Sequence, residues 1–442
     1  MFRMSKLLDG HEMSLNHKHQ ASLFFVAMST SAATLACTAG QYDPGTGCVP
    51  ASAGFYVPTT GMTAALAAPV GSYVNASGAT APTLASPGTF VSVAGATAAN
   101  LALPGYYIPS SGASSATEVA SGFYTPSTGS VNQLPAGGAA APLANAIQAR
   151  SIFNDLSTDL IDSQETSALK IATGFQKSRQ DQTGLTSGKF NINSSAVVVQ
   201  ADIDRNASGA TGVQFSLGQQ KLSSGSEAEN SGNSYQISAF NSGVLGGGQY
   251  QSQLLYGQTV GDTKRVLVAT TNSSTSSETL TSQGKVTWTG LQTQFKYPLN
   301  ETVKLLTQLG VVSYSMNGVT ETSSVANSLV GLNAESLKYT SVPYTLGLLY
   351  DVSTRGDDGL LKTPLTATVA LVGDLSSAQV LKIHSSYDFD LPVFQSKSAV
   401  MLRLKFKAWE PSKDATLSGT LQAVHGTGLS TYMAGLSFVK KW

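Results

Sequence analysis

Over the C-terminal 275 residues, hydrophobic side chains fall on every second position. Val197, Val199, Ala201 and Ile203 alternate with Gln200 and Asp202. Val213, Phe215 and Leu217 alternate with Gln214, Ser216 and Gly218. Val342, Tyr344, Leu346, Leu348, Tyr350 and Val352 hold one parity, and Val400, Leu402, Leu404, Phe406 and Ala408 alternate with Met401, Arg403, Lys405, Lys407 and Trp409. A period of two belongs to strands whose faces meet different surroundings. Runs of nine or more exceed the usual strand of about five or six residues. They suit bilayer-crossing strands of about 9–11 residues. Three polar segments between them read as long loops: Lys221–Asn233, Thr270–Gln283 and Asn317–Glu335. Thirteen segments qualify as strands. Leu417–Val424 is the weakest, and assigning it to an extended hairpin leaves twelve, the first near Leu169–Phe175. An even number of antiparallel strands closes without an edge, as hydrocarbon requires. The expected fold class is all-β, with a twelve-stranded transmembrane antiparallel barrel over residues 168–442.

A soluble sandwich would also alternate. There Arg403, Lys405 and Lys407 would face water, whereas in a membrane barrel they must face the lumen. A lipid-facing cation at mid-depth costs about 2–4 kcal/mol.

Residues 143–165 are predicted as a linker helix. Leu143 to Asp162 contains neither Gly nor Pro, and Ile152, Leu156 and Leu160 repeat at i, i+4. Asp155, Asp159 and Asp162 share another face. Twenty residues make roughly 30 Å of helix, close to the roughly 25 Å apolar band of a barrel. The helix is therefore expected to plug the lumen, its three acids opposite Arg403, Lys405 and Lys407. Residues facing lumen water without pairing are the simpler alternative.

Residues 37–140 repeat. The unit Gly-x-aromatic-x4-Gly occurs six times, starting at Gly40, Gly54, Gly71, Gly88, Gly105 and Gly122. A fixed period implies stacked units, each too small for a core of its own. A small β repeat array follows, with Tyr42, Tyr56, Tyr73, Phe90, Tyr107 and Tyr124 as the expected repeat core. Pro44, Pro58, Pro109 and Pro126 mark turns two positions later.

Ahead of the array, residues 1–36 read as a signal peptide. The apolar run Leu23–Met28 follows Lys18 and precedes small residues. Export favours a disulfide between Cys37 and Cys48.

Composition narrows the functions. The 442 residues carry 26 basic and 26 acidic side chains, and charged residues make up 12%. Zero net charge argues against nucleic acid as a partner. The array contains no Lys, Arg or His, and Asp43 and Glu118 are its acids. A Ser-His-Asp triad or Cys/His zinc site cannot be built there, so no catalytic residue, metal ligand or cofactor is expected.

The closing strand, Tyr432 to Trp442, places Ala434, Leu436, Phe438 and Trp442 on one face. It resembles the closing strand of outer-membrane barrels, although Lys440 stands where that pattern prefers an apolar residue. The order of leader, repeats, helix and C-terminal barrel resembles an autotransporter. That resemblance implies the outer membrane of a Gram-negative bacterium, outer-membrane lipid around the barrel, periplasmic chaperones and the barrel-assembly machinery as partners, with Phe438 and Trp442 as the assembly signal. It also implies a passenger at the cell surface, in adhesion or surface structure, with an unidentified ligand. The family resemblance also admits passenger self-cleavage, for which Asn154-Asp155 would be the site; an Asn-Asp pair within an ordinary helix is the plainer alternative. The spacing around Cys37 and Cys48 resembles a degenerate ephrin-receptor-like repeat. A pore with a small accessory domain is the alternative.

Overall fold

A computed structural model describes residues 36–161 and, within 169–440, all but 181–189, 207, 225–227, 327, 329, 352–353, 356–360, 364, 378, 394–397, 413–414 and 428. Residues 1–35 of the expected leader, Asp162 and Trp442 lie outside the described residues.

Twelve antiparallel strands form a closed barrel. They are β1 (Leu169–Gln180), β2 (Phe190–Asn206), β3 (Gly209–Ser224), β4 (Ala228–Leu245), β5 (Gly248–Thr270), β6 (Thr275–Pro298), β7 (Val303–Met316), β8 (Pro343–Asp351), β9 (Leu365–Asp374), β10 (Ala399–Ser412), β11 (Ala415–Gly426) and β12 (Leu429–Lys440). Each pairs with its sequence neighbours, and β1 pairs with β12 from Leu169↔Lys440 to Gln180↔Leu429. That last pairing removes both edges, so backbone polar groups are satisfied within the wall.

The alternation is inside-out relative to a soluble sandwich. Phe175, Leu217, Leu254, Leu402 and Leu436 are exposed on the outer face. Gln200, Gln214, Ser216, Gln236 and Ser238 are buried facing the lumen. Three of them are linked, Gln214 Nε2 donating to Gln200 Oε1 at 2.8 Å and Ser238 Oγ to Gln214 Oε1 at 3.1 Å, and Gln236 Oε1 accepts from Trp288 Nε1 at 3.0 Å. An apolar exterior around a polar, hydrogen-bonded interior is stable only with hydrocarbon outside.

Three sequence assignments need correction. Leu417–Val424 is a full wall strand within β11. Its outward signal is faint because Gly419 has no side chain; the Phe406 ring of β10 covers it, 2.5 Å from where a Cβ would stand. Two polar segments read as loops, Lys221–Asn233 and Thr270–Gln283, are largely strand, since β3 reaches Ser224, β4 begins at Ala228, β5 reaches Thr270 and β6 begins at Thr275. These tips rise beyond the apolar belt, so no lipid face imposes hydrophobic alternation on them. Asn317–Glu335 is a loop between β7 and β8. Its short strands Val319–Thr320 and Asn333–Ala334 join the hairpin Gln379–His384 and Asp388–Val393 in a four-stranded cap over the same barrel end.

Helix α1 (Ala141–Ile161) begins two residues earlier than expected and includes Pro142, after a 3-10 turn over Gly137–Ala140. Proline is tolerated in a first turn, where its missing N–H has no helical partner to lose. Before it lie six two-stranded hairpins, from Gln41–Tyr42 with Val49–Pro50 to Phe123–Tyr124 with Leu134–Pro135.

Candidate functional site: the filled lumen and its docked repeats

Helix α1 runs down the lumen from the capped end, packed against β1–β6 and β12. No helix among the described residues is apolar enough to cross a membrane alone. α1 instead buries a mixed surface in a polar barrel. Its Asp159 side chain is 4% exposed and accepts from Arg403 Nη2 at 2.7 Å through Oδ1 and from Thr420 Oγ1 at 2.7 Å through Oδ2. Lys405 Nζ lies 3.5 Å from Oδ1 and donates to the Asp159 carbonyl at 3.0 Å. Asp155 accepts from Gln422 Nε2 at 3.1 Å, and its carbonyl accepts from Arg403 at 3.0 Å. Higher up, Arg150 Nε donates to Tyr314 OH at 2.7 Å. Charges held this way offset much of their desolvation through paired, hydrogen-bonded geometry.

The wall meets the helix with glycines. A Cβ on Gly218 would stand 2.9 Å from the Phe153 ring, and one on Gly284 2.3 Å from Pro142. Gly174 and Gly435, adjacent across β1 and β12, both face Leu156, at 3.0 and 3.1 Å. These absences of side chain form a groove matching the apolar stripe of α1. On the far side a cavity of about 210 Å³ remains, lined by Arg150, Asp155, Gln294, Tyr339, Asp374 and Arg403 among others.

At the capped end, the last hairpin is clamped to the barrel. Arg265 of β5 and Glu321 of the β7–β8 loop form a bidentate pair, 2.6 Å at both contacts, with side chains 1% and 2% exposed. Arg265 also donates to the Pro135 carbonyl. Tyr124 OH donates to the Val330 carbonyl, and its ring stacks on Phe389 with centroids 5.9 Å apart. Val131 N–H bonds to the Thr270 carbonyl at 2.8 Å, and Asn272 N–H to the Gly129 carbonyl at 2.9 Å. Tyr124, Ala136, the helix residues Leu143, Phe153 and Leu156, and the cap residues Leu332, Ile383 and Leu391 belong to one hydrophobic cluster.

A protein-family model for the autotransporter beta-domain matches residues 170–407. The chain belongs to the autotransporter family. Its barrel is therefore an outer-membrane translocator domain, in a lipid environment. Among solved structures, the translocator domain of autotransporter NalP from Neisseria meningitidis is similar in fold, with a TM-score of 0.51 at 14% identity, covering 69% of this chain and 99% of that one. The transport unit of autotransporter AIDA-I from Escherichia coli gives 0.41 at 11% identity, covering 67% and 98%. An outer membrane channel from Pseudomonas putida F1 gives 0.38 at 13% identity, covering 63% and 97%. A search of the curated proteins finds no match.

In this autotransporter, Asp155, Asp159, Arg403 and Lys405 come together. Lys407 lies two positions further along the same face of β10. Phe438 is exposed on the outer face of β12 with Leu436. Asn154 and Asp155 lie inside α1, within the lumen. Cys37 and Cys48 form a disulfide with Cα atoms 5.4 Å apart.

The repeat core is not the aromatic set. Tyr42, Tyr56, Tyr73, Phe90 and Tyr107 are half-buried, and Tyr124 alone of the six is fully buried, by the barrel cap. The buried positions are the residues after the aromatics, Val57, Val74, Val91 and Ile108, with Ala51, Ala68, Ala85 and Ala102. A narrow spiral has room on its axis for small and β-branched side chains only. The glycines explain the motif better. The first glycine of each of the first four units meets the second glycine two units on: a Cβ on Gly40, Gly54, Gly71 or Gly88 would stand 2.2–2.4 Å from the carbonyl oxygen of Gly78, Gly95, Gly112 or Gly129. Gly78 N–H also bonds to Ala51 O, Gly95 to Ala68 and Gly112 to Ala85. In the first unit Asp43 Oδ1 takes the N–H groups of Gly45 and Gly47 at 2.8 and 2.9 Å, so the isolated acid of the sequence is an end cap. Those backbone donors hold the Asp43 carboxyl below its ordinary range. The wall glycines, Asp43 and the Arg265–Glu321 clamp were absent from the expected site. The inward parity of Gly174, Gly218 and Gly284 was the available signal for the first of these.

Proposed function

We propose that this outer-membrane autotransporter keeps its repeat module permanently docked at the cell surface. Residues 1–36 direct export, 37–140 are the passenger, 143–165 fill the lumen and 168–442 form the translocator. The observation that carries this reading is the Arg265–Glu321 clamp, which joins the last repeat to the barrel cap at the end where α1 enters. Periplasmic chaperones deliver the chain, and the barrel-assembly machinery reads the closing strand through Phe438 and Trp442. The passenger serves surface structure or adhesion, for which an uncharged, Ser/Thr-coated spiral is suited, rather than catalysis. Broad-specificity protease added to intact cells is expected to remove the array and leave the helix-filled barrel. An array digested only after the outer membrane is opened overturns display. Retention predicts one band of full-length mature protein on a denaturing gel, and a fragment starting at Asp155 overturns it.

The cavity beside α1 favours a second reading, an outer-membrane channel with an accessory domain. Steady high conductance from wild-type protein, with the array hidden in intact cells, would replace the first reading by this one.

A further inference from the structure

The outer face of β1–β6 changes character in register. Two rows crossing the strands are mainly apolar: Ile171, Val199, Phe215, Ile237 and Tyr256 in one, and Thr173, Val197, Leu217 and Tyr235 in the next. One row further toward the capped end is Phe175, Ser195, Gln219 and Asn233. The following two rows are Lys177, Asn193, Lys221 and Ser231, then Arg179, Asn191, Ser223 and Glu229. Lys177, Arg179, Asn193 and Lys221 are exposed. On β1–β3 this makes a two-by-three grid of three cations, two amides and one hydroxyl, with no carboxylate inside it. Glu229 and Asp262 border it on β4 and β5.

The spacing is compact. Strands lie about 4.8 Å apart, so Lys177 and Lys221, two strands apart, are separated by roughly 10 Å at the backbone, and each row is about 7 Å above the last. Followed the other way around the barrel, the same rows pass to Tyr432, Ala423 and Leu402, and to Ser430, His425 and Val400. The grid therefore stands at the border of the lipid belt, where headgroups lie. Hydrocarbon offers an exposed cation there nothing to bind, whereas the headgroups of the outer leaflet present anions. Ammonium and guanidinium groups interleaved with amide donors suit phosphate oxygens, which accept several hydrogen bonds at once.

We propose that Lys177, Arg179 and Lys221, with Asn191 and Asn193, bind the phosphorylated headgroup of an outer-leaflet glycolipid. The inference rests on the proposed function in one respect, that the capped end faces the outer leaflet, but its binding readout is independent of protease access to the array. It is tested on the full mature chain in detergent, exposed to rough-type lipopolysaccharide and then exchanged into lipid-free detergent. Native mass spectrometry reads the glycolipid retained. Wild type is expected to retain it, and the triple variant Lys177→Gln, Arg179→Gln, Lys221→Gln to bind on the order of 100-fold more weakly, from about fivefold per cation beside an anionic surface. Lys304→Gln, at the opposite rim, should bind as wild type does, and heat-modifiable gel migration reports that each barrel is folded. Glycolipid stripped of its phosphates should fail to bind. Equal retention by the triple variant, or by dephosphorylated glycolipid, overturns the proposal. Displacement by millimolar inorganic phosphate overturns the lipid assignment and leaves a free-phosphate site.

Discussion

Replacing Arg403 by Gln tests whether charge pairing seats the helix. In the native lumen the nearly buried Asp159 carboxylate is held by Arg403 at 2.7 Å, Thr420 at 2.7 Å and Lys405 at 3.5 Å. Removing one partner of a buried pair costs about 3–5 kcal/mol. Lys405 stays in place, and Arg403 lines the cavity beside α1, so water can reach the gap. Those two compensations halve the cost to about 2 kcal/mol, which is roughly 30-fold in the ratio of seated to unseated helix. Lys405→Gln should cost less, because its contact is longer and its side chain more exposed. In planar bilayers Arg403→Gln should open to full-barrel conductance about 30-fold more often than wild type. The double variant Asp159→Asn, Arg403→Gln should return most of the way, since Asn still accepts from Thr420 and leaves no buried charge. The reasoning is refuted if Arg403→Gln opens no more often than wild type, or if adding Asp159→Asn restores nothing while barrel melting is unchanged. Neutralising Lys407 as well as Arg403 and Lys405 should loosen the plug further.

Three other outcomes follow from the same contacts. Gly218→Val should unseat α1 by crowding Phe153, and Phe153→Ala should restore low conductance in that background; a Gly218→Val barrel that conducts like wild type argues against the glycine groove. Gly71→Ala combines a φ of +81° with a Cβ 2.2 Å from Gly112 O, so the spiral should lose at least about 1–3 kcal/mol, read as faster proteolysis of the array with unchanged barrel migration. His384 bonds Asp388 at 2.7 Å and Glu335 at 2.8 Å, and these carboxylates, Asp388 first, raise its pKa above 6.5. The charged form is the stabilised one. Its contribution is complete below pH 6.5 and fades as pH rises through the raised pKa, so amide exchange over Gln379–Val393, corrected for intrinsic rate, should quicken across that window in wild type and not in His384→Gln.

The barrel was legible because hydrocarbon and lumen impose opposite demands on successive residues, as Val213 to Gly218 show. The signal fails where one demand is missing. At Ala415–Gly426, Gly419 borrows its apolar cover from Phe406, while Thr420 and Gln422 face inward to hold Asp159 and Asp155. Above the belt, the tips of β3–β6 have no lipid side, so strand reads as loop. Asp155, Asp159, Arg403 and Lys405 were readable as charges that could not face lipid. Gly174, Gly218 and Gly435 left a fainter signal, their inward parity alone, because a residue that acts by having no side chain offers no chemistry to read. The aromatics misled for a related reason: their regular spacing marks the repeat, while the small residues Val57, Val74 and Ala68 fill its axis.

Each unit of the spiral meets the next one and the one after that, the fourth to sixth units also meet barrel loops at Asn272 and Tyr387, and the far end is sealed by Asp43 and the disulfide. The length of the module is thus independent of the machine that carries it. Inserting a 17-residue period between the second and third units would leave both the Asp43 end and the barrel contacts of the fourth to sixth units in place. Displayed as proposed, the array would act as a molecular ruler, its reach changing in fixed steps while the translocator stays the same.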